Sequence, residues 1–176
     1  MPANTSPATT RRLLPSDFDQ RFETVFGLVA FAVNRHVMDH MRRVVADLGL
    51  DMDTAYVWGT LAHLNVAPVL KLGADSADVL NAEGMLRAEP APARLADLAE
   101  ITRLPRETVR RKLEQLAALG KVERTASGGW VYRNTGIDAQ TRDFTRETVL
   151  RLVRTTEVIL ALLEQADQPT RASKGR

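Results

Sequence analysis

The 176-residue chain contains no cysteine and only three histidines, and 5% of it is aromatic. The lack of cysteine excludes disulfides, thiolate metal sites and a cysteine redox switch. The scarcity of aromatics means that a core must be built mainly from Leu, Val, Ile and Ala. No apolar run is long: the most apolar window, residues 25–33, spans nine residues, whereas a membrane-spanning helix needs roughly 20. Residues 1–10 also lack the apolar run of a signal peptide. These absences favour a soluble, cytoplasmic protein that does not enter a membrane.

Motifs of known enzymes are missing as well. The sequence has neither a glycine-rich phosphate loop nor a Ser/His/Asp motif with local context. His36 and His40 are four residues apart, a spacing that places both on one helix face and could hold a metal. The zinc-protease pattern requires Glu directly after the first His, where this chain has Val37, and no third ligand is evident. Surface or interface histidines are therefore favoured, and we expect neither an enzyme nor a cofactor nor a metal.

Charge is distributed unevenly, although the net charge is only +2. Residues 94–133 contain nine Lys or Arg and five Asp or Glu, whereas the remainder contains fifteen basic and seventeen acidic residues. A locally basic segment on a slightly acidic body is the expected footprint of DNA contact. The same clustering is also found on faces that are merely solvated.

Two amphipathic helices are predicted near the ends of the chain, at residues 16–49 and 141–165. Apolar positions recur in the first at helical spacing: Phe18, Phe22, Val25, Phe26, Val29, Val33, Val37, Met41, Val44 and Leu48. The last helix has a similar stripe: Val149, Leu152, Val153, Thr156, Ile159, Leu160 and Leu163. Such stripes favour a symmetric homodimer. The alternative is that both helices pack on their own chain.

Between these helices the sequence predicts a helix at 53–66, then a loop over 71–92 with a short helix around 77–85. A helix at 93–101 follows, with Leu95, Leu98 and Ala99 facing inward. Pro105 and Gly120 bracket the next helix, 105–119, in the usual order of proline at the start and glycine past the end. Alternating residues at 121–125 and 130–133 flank a Gly-containing turn and predict a β-hairpin.

The helix at 105–119 has two faces of opposite character. At about 100° per residue, one arc about 120° wide holds its apolar residues: Val109, Leu113, Leu116 and Leu119. The opposite arc is charged: Arg106, Glu107, Arg110, Arg111 and Glu114. Arginine matches guanine O6 and N7, and glutamate accepts from cytosine N4. An ordinary amphipathic helix with i,i+4 ion pairs such as Arg110–Glu114 is the alternative.

The segment 95–132 resembles the winged helix-turn-helix of bacterial transcriptional regulators, above all the Crp/Fnr family. The run Arg106-Glu107-Thr108-Val109-Arg110-Arg111 is similar to that family's R-E-T-V-x-R motif. The resemblance implies base contacts by Arg106, Glu107 and Arg111, and a phosphate or positioning role for Thr108.

The chain departs from the Crp/Fnr pattern at two positions. Arg103 replaces the usual turn glycine, and Pro105 replaces a serine. Because arginine in a left-handed conformation carries strain, a differently built turn is expected, and the loss of serine removes a capping oxygen. Nothing upstream resembles the family's β-rich nucleotide-binding domain.

The layout of long helix, winged module and long C-terminal helix resembles the MarR family instead. That resemblance implies interlocked terminal helices in a dimer and an unidentified small-molecule effector. The predicted fold is therefore mainly α, a winged helix-turn-helix with a two-stranded β wing and long terminal helices for dimerisation. Its divisions are a disordered arm (1–15), N-terminal helices with a connecting loop (16–92), the winged helix-turn-helix (93–134), a C-terminal dimerisation helix (135–166) and a disordered tail (167–176).

The charged helix face, the hairpin and the resemblances together indicate the candidate site residues. Base contacts are predicted for Arg106, Glu107, Arg110 and Arg111. Backbone or wing contacts are predicted for Thr102, Arg103, Thr108, Lys121, Arg124, Ser127, Gly128 and Arg133. Trp130 is expected to pack on the inner face of the hairpin.

The predicted function is that of a dimeric, sequence-specific transcriptional regulator associated with the nucleoid, which binds an inverted repeat in double-stranded DNA. The alternative is a winged-helix protein-interaction or replication/architectural module with weak or non-specific DNA binding.

Overall fold

The computed structural model describes residues 14–70, 76–134 and 137–166. The chain divides into two compact units. Of the described residues, 14–41 and 145–166 form the terminal unit, and those within 42–144 form the central unit. The predicted tail, and the predicted arm apart from residues 14 and 15, lie outside the described residues.

The described ranges form a mainly α fold with one two-stranded antiparallel hairpin, as the sequence predicts. The elements are α1 (Phe18–Leu48), α2 (Met52–Val66), α3 (Ser76–Val79), α4 (Leu95–Thr102), α5 (Arg106–Ala118), β1 (Val122–Arg124), β2 (Trp130–Tyr132) and α6 (Ala139–Gln165). In the hairpin Val122 pairs with Tyr132, and Arg124 pairs with Trp130. None of the helices in the described ranges is both long enough and apolar enough to cross a membrane.

The terminal unit consists of the larger part of each long helix, α1 up to Met41 and α6 from Thr145, and these parts pack against each other. Arg21 donates to the carbonyl of Leu163 (3.3 Å), and Arg151 forms an ion pair with Asp39 (2.7 Å). Because an early residue of α1 contacts the end of α6 and a later one contacts its middle, the two helices run antiparallel. α1 is also kinked at Val25, whose φ of −115° and ψ of 15° depart from helical values, a feature that the unbroken apolar spacing did not predict.

The central unit is built around α2, which packs against α4, α5 and β2. Its core is aliphatic apart from Trp130. The buried members are Leu50, Val57, Leu61, Ala93, Leu98, Val109, Leu113, Leu116, Val122 and Trp130. The predicted inward positions on α4 and the predicted placement of Trp130 are confirmed, since Leu98 is fully buried and Leu95 and Ala99 pack on this core.

The apolar face predicted for α5 is confirmed at three of its four positions. Val109, Leu113 and Leu116 are fully buried, but Leu119 is 54% exposed, so its predicted inward position is wrong. The physical reason is that α5 ends at Ala118, and Leu119 is already the capping residue with ψ near 1°. Gly120 then takes a left-handed φ of 70°, which turns the chain into β1.

Asn65 anchors the hairpin to α2. Its Nδ2 donates to the carbonyls of Ala91 (2.7 Å) and Trp130 (3.0 Å), and its Oδ1 accepts from the amide of Tyr132 (2.9 Å). Ala93 exchanges two further backbone hydrogen bonds with Trp130. These bonds give β2 a partner on its second edge. They stabilise the hairpin, since a lone two-stranded hairpin is marginal in water.

Candidate nucleic-acid interface

The connection between α4 and α5 is a tight turn with Arg103 in the left-handed region, at φ 58° and ψ 17°. The expectation of a differently built turn is therefore wrong: the left-handed conformation is kept, and an arginine occupies it. Thr102 just before it is buried, and its hydroxyl donates to the carbonyl of Leu98 (2.6 Å). This contact keeps the last turn of α4 intact and leaves the Arg103 side chain exposed.

Pro105 immediately precedes α5 and provides no side-chain cap, as expected from the absence of serine. The first turn then presents Arg106 and Glu107 to solvent, with Arg110 and Arg111 one turn later. The buried Val109 fixes which way this face points, because it anchors the opposite side of the helix in the core. All four predicted base-contacting residues therefore lie on one exposed surface, while Thr108 at its margin is half-buried.

Arg110 differs from its neighbours because carboxylates hold it on both sides. Its Nε donates to Glu107 (2.9 Å), its Nη2 also binds Glu107 (2.5 Å), and it forms an ion pair with Glu114. The hydrogen bond from Arg110 holds the pKa of Glu107 below its usual range, and the two carboxylates raise the pKa of Arg110. The i,i+4 pair that the sequence offered as an alternative is present, and Glu107 is an ionised acceptor held in place.

Arg106 and Arg111, by contrast, form no hydrogen bond or ion pair with any part of the chain that the structure describes. Both guanidinium groups lie on the exposed face of α5, next to the oriented Glu107. The face therefore combines two available planar donors with one fixed acceptor. That set matches guanine and cytosine edges in a major groove.

α5 is tied to the start of α2 by a second polar cluster, which the sequence gave no reason to single out. Asp51 caps α2 by accepting from the amide (3.0 Å) and hydroxyl (2.7 Å) of Thr54, and Lys112 donates to the same carboxylate (2.8 Å). Thr54 also lies within 3.3 Å of Gln115. Burial of Asp51 would raise its pKa, but the hydrogen bonds from Lys112 and Thr54 outweigh it and lower the pKa to about 2. Asp51 followed three residues later by Thr54 is a recognisable cap, whereas its link to Lys112 is visible only in the fold.

The hairpin tip carries the exposed Arg124, Ser127 and Gly128. Gly128 has φ 85°, so the turn uses glycine for a left-handed conformation. Gly129 is buried, and a Cβ there would lie 2.7 Å from the Cβ of Pro92. Arg133 at the base of the hairpin pairs with Glu123 (3.5 Å) and remains exposed. The tip therefore offers one cation, a hydroxyl and open backbone.

Two of the predicted backbone-contacting residues are turned inward. Lys121 is buried, with its ammonium 3.4 Å from Asp138 and from Thr141, and 4.6 Å from the centroid of the Trp58 ring. The ammonium charge of Lys121 is thus compensated within the central unit, and the side chain is not exposed to a phosphate. Thr102 is likewise buried, and its hydroxyl is committed to Leu98.

The predicted histidine pair lies on α1. His36 Nδ1 is 3.2 Å from the hydroxyl of Thr155, and either atom can donate. Among the described residues no group of three or more His, Asp or Glu side chains is arranged to hold a metal ion. Comparison of the chain with protein-family models, with curated proteins and with solved structures finds no match.

Proposed function

We propose that this protein is a sequence-specific DNA-binding regulator whose residues 93–134 form a winged helix-turn-helix. The single observation that carries the proposal is the exposed face of α5, where Arg106 and Arg111 are available and Glu107 is fixed by Arg110. Arginine and glutamate side chains near the start of a helix are typical of base contact in the major groove. The hairpin with Arg124 acts as the wing on the DNA backbone.

The terminal helices join two copies of the protein into a homodimer, and this dimer binds DNA. The apolar stripes predicted from the sequence are left between 40% and 53% exposed at seven positions: Phe26, Val33, Val37, Met41, Val149, Leu152 and Val153. Exposed apolar surface on this scale marks an interaction surface. We infer that a second copy of the chain covers this surface. A two-fold dimer then presents two α5 helices to an inverted repeat in DNA.

The second candidate function is a protein-interaction module with weak, sequence-blind DNA binding. It is favoured by the same exposed stripes together with the internal pairing of Arg110, Arg133 and Lys121. In that case the terminal helices bind a different protein, and the charged face of α5 is merely solvated.

Selection from a random pool of duplex DNA at near-physiological salt separates the two candidates. The regulator enriches an inverted repeat with half-sites about one helical turn, roughly 34 Å, apart. The interaction module enriches no sequence. Salt dependence alone would not decide, because non-specific binding is salt-dependent too.

The contacts are then assigned with the selected site and single variants. Arg111→Ala weakens binding to that site by roughly 5- to 150-fold, the equivalent of the 1–3 kcal/mol of a bidentate base contact. Arg146→Ala, an exposed arginine of α6, is the matched control and leaves the affinity nearly unchanged. Equal effects of the two variants, or equal loss on scrambled DNA, would contradict base reading by Arg111.

A further inference from the structure

The terminal unit contains a cavity of about 580 Å³ between α1 and α6. Such a volume is within the range of small-molecule sites, about 300–1,000 Å³. Both helices contribute charged side chains at one end of the cavity and apolar side chains at the other end. Neither the proposed DNA contacts nor the apolar stripes account for this arrangement.

Three arginines line the cavity, and they are not equivalent. Arg151 is neutralised by Asp39 (2.7 Å) and Glu147 (2.8 Å). Arg35 and Arg154, one from each helix, form no hydrogen bond or ion pair with the residues that the structure describes. Among the lining residues that the structure describes, two guanidinium groups are therefore uncompensated, and the one carboxylate, that of Asp39, already has a partner.

The rest of the lining suits an apolar molecule. Leu28, Phe31 and Ala32 of α1 face Val158 and Leu162 of α6 across the cavity. Phe31 is 67% exposed in spite of its size. An apolar molecule would remove these side chains from water, and each Å² of apolar surface so covered contributes about 25 cal/mol.

The dimer surface proposed above is on a different side of each helix. Val33 and Val37 are each two residues from Arg35, which at about 100° per residue places them roughly 160° around α1 from it. Leu152 has the same relation to Arg154 on α6. A second copy seated on the apolar stripes therefore leaves the arginine side of each helix uncovered.

We propose that this cavity binds a small organic acid, with a carboxylate held by Arg35 and Arg154 and an apolar body against Phe31 and Val158. A planar guanidinium matches a carboxylate with two parallel hydrogen bonds. A bare inorganic anion fits less well, because it leaves the apolar lining residues of the cavity in water. The site is independent of DNA binding and of whether the proposed function is correct.

The test is calorimetric titration of the full chain with three probes: 4-phenylbutyrate, the uncharged 4-phenylbutan-1-ol, and acetate, which has the charge without the apolar body. The site binds phenylbutyrate at least about tenfold more tightly than either of the others, since a hydrogen bond to a charged group is worth a factor of this size. Arg35→Gln and Arg154→Gln each weaken phenylbutyrate binding about tenfold or more. Arg146→Gln, on α6 but outside the cavity lining, does not.

Absence of phenylbutyrate binding would overturn the proposal, as would equal binding of the alcohol or of acetate. Equal affinities of Arg35→Gln and Arg146→Gln would overturn it too. Should an arginine variant fail to fold, a diazirine-bearing phenylbutyrate photolysed on the unaltered protein decides instead. Labelling at Phe31 or Val158 supports the site, and labelling confined to other segments refutes it.

Discussion

Asp51 is expected to stabilise the central unit in two separable ways, as the N-cap of α2 and as the ion-pair partner of Lys112. Asp51→Asn retains a capping oxygen but loses the charge, and Asp51→Ala loses both. Asparagine is as good an N-cap as aspartate, and the loss of a cap costs about 1 kcal/mol. The two variants therefore divide the contribution of the carboxylate into its parts.

The magnitude of the charge contribution follows from exposure. Lys112 is 13% exposed and Asp51 is 50% exposed, so solvent screening reduces the pair to about 1 kcal/mol. We therefore expect the free energy of unfolding at pH 7 to fall by about 1 kcal/mol for Asp51→Asn and by about 2 kcal/mol for Asp51→Ala. Urea denaturation followed by circular dichroism, at one fixed protein concentration, measures both values.

The pH dependence has a definite sign. Because folding lowers the pKa of Asp51 from 3.8 to about 2, its charge contribution is fully present above pH 3.8 and is lost as the pH falls toward 2. The difference between the unaltered protein and Asp51→Asn should thus shrink over that window. Asp53→Asn, in the first turn of α2 and without an ion pair to any residue that the structure describes, is the matched control and should show little change. An Asp51→Asn variant as stable as the unaltered protein at pH 7, or a gap that persists at pH 2, would refute the ion-pair argument.

Three further substitutions, one of them with a matched control, have expected outcomes. Arg110→Ala should reduce discrimination at the cytosine position more than overall affinity, because Glu107 loses the partner that orients it; competition binding with single-base site variants measures this. Arg103→Gly should raise the free energy of unfolding by about 1 kcal/mol by relieving the left-handed arginine, and should weaken DNA binding in the same preparation. Leu152→Asp should shift the protein to monomer in sedimentation equilibrium, whereas Leu119→Asp, equally exposed but outside the stripes, should leave the oligomeric state unchanged.

Local patterns predicted the central elements well because those elements are bounded by local chemistry. Pro105 and Gly120 bracket α5, which begins one residue later and ends one residue earlier than the sequence suggested, within the usual ambiguity of helix ends. Apolar spacing identified its buried face at Val109 and Leu113. The hairpin followed from alternation around Gly128, whose positive φ is the reason for a glycine there.

Partners distant in sequence set the limit of that prediction. Lys121 was predicted to contact phosphate because it is a cation at the base of the hairpin, immediately before β1. In the fold its ammonium lies over the ring of Trp58 and pairs with Asp138. The same holds for Asp51 and Lys112, whose ion pair joins residues with no local relation. The cavity that brings Arg35 and Arg154 together is likewise visible only in the fold, because the two residues belong to helices far apart in sequence.

Arg103 shows a different limit, since propensity alone argued against the turn that is formed. Its neighbours Thr102 and Leu104 are held by a side-chain hydrogen bond and by packing on the core, so the conformation of residue 103 is imposed from both sides. Tertiary contacts thus override the preference for glycine, and the exposed position next to α5 acquires a cation.

Asn65 has a consequence for how the protein tolerates mutation. Its amide supplies two donors and one acceptor at a fully buried point, and no other side chain of that length provides this set. Aspartate lacks the donors and would bury a charge, leucine would remove the partner of the Ala91 carbonyl and of the Tyr132 amide, and glutamine is longer by one methylene. Saturation mutagenesis should therefore find position 65 nearly invariant, although the residue lies on neither proposed binding surface. A substitution of Asn65 would displace the hairpin. In a genetic screen such a variant would have the same phenotype as a substitution of the proposed DNA-contacting residues.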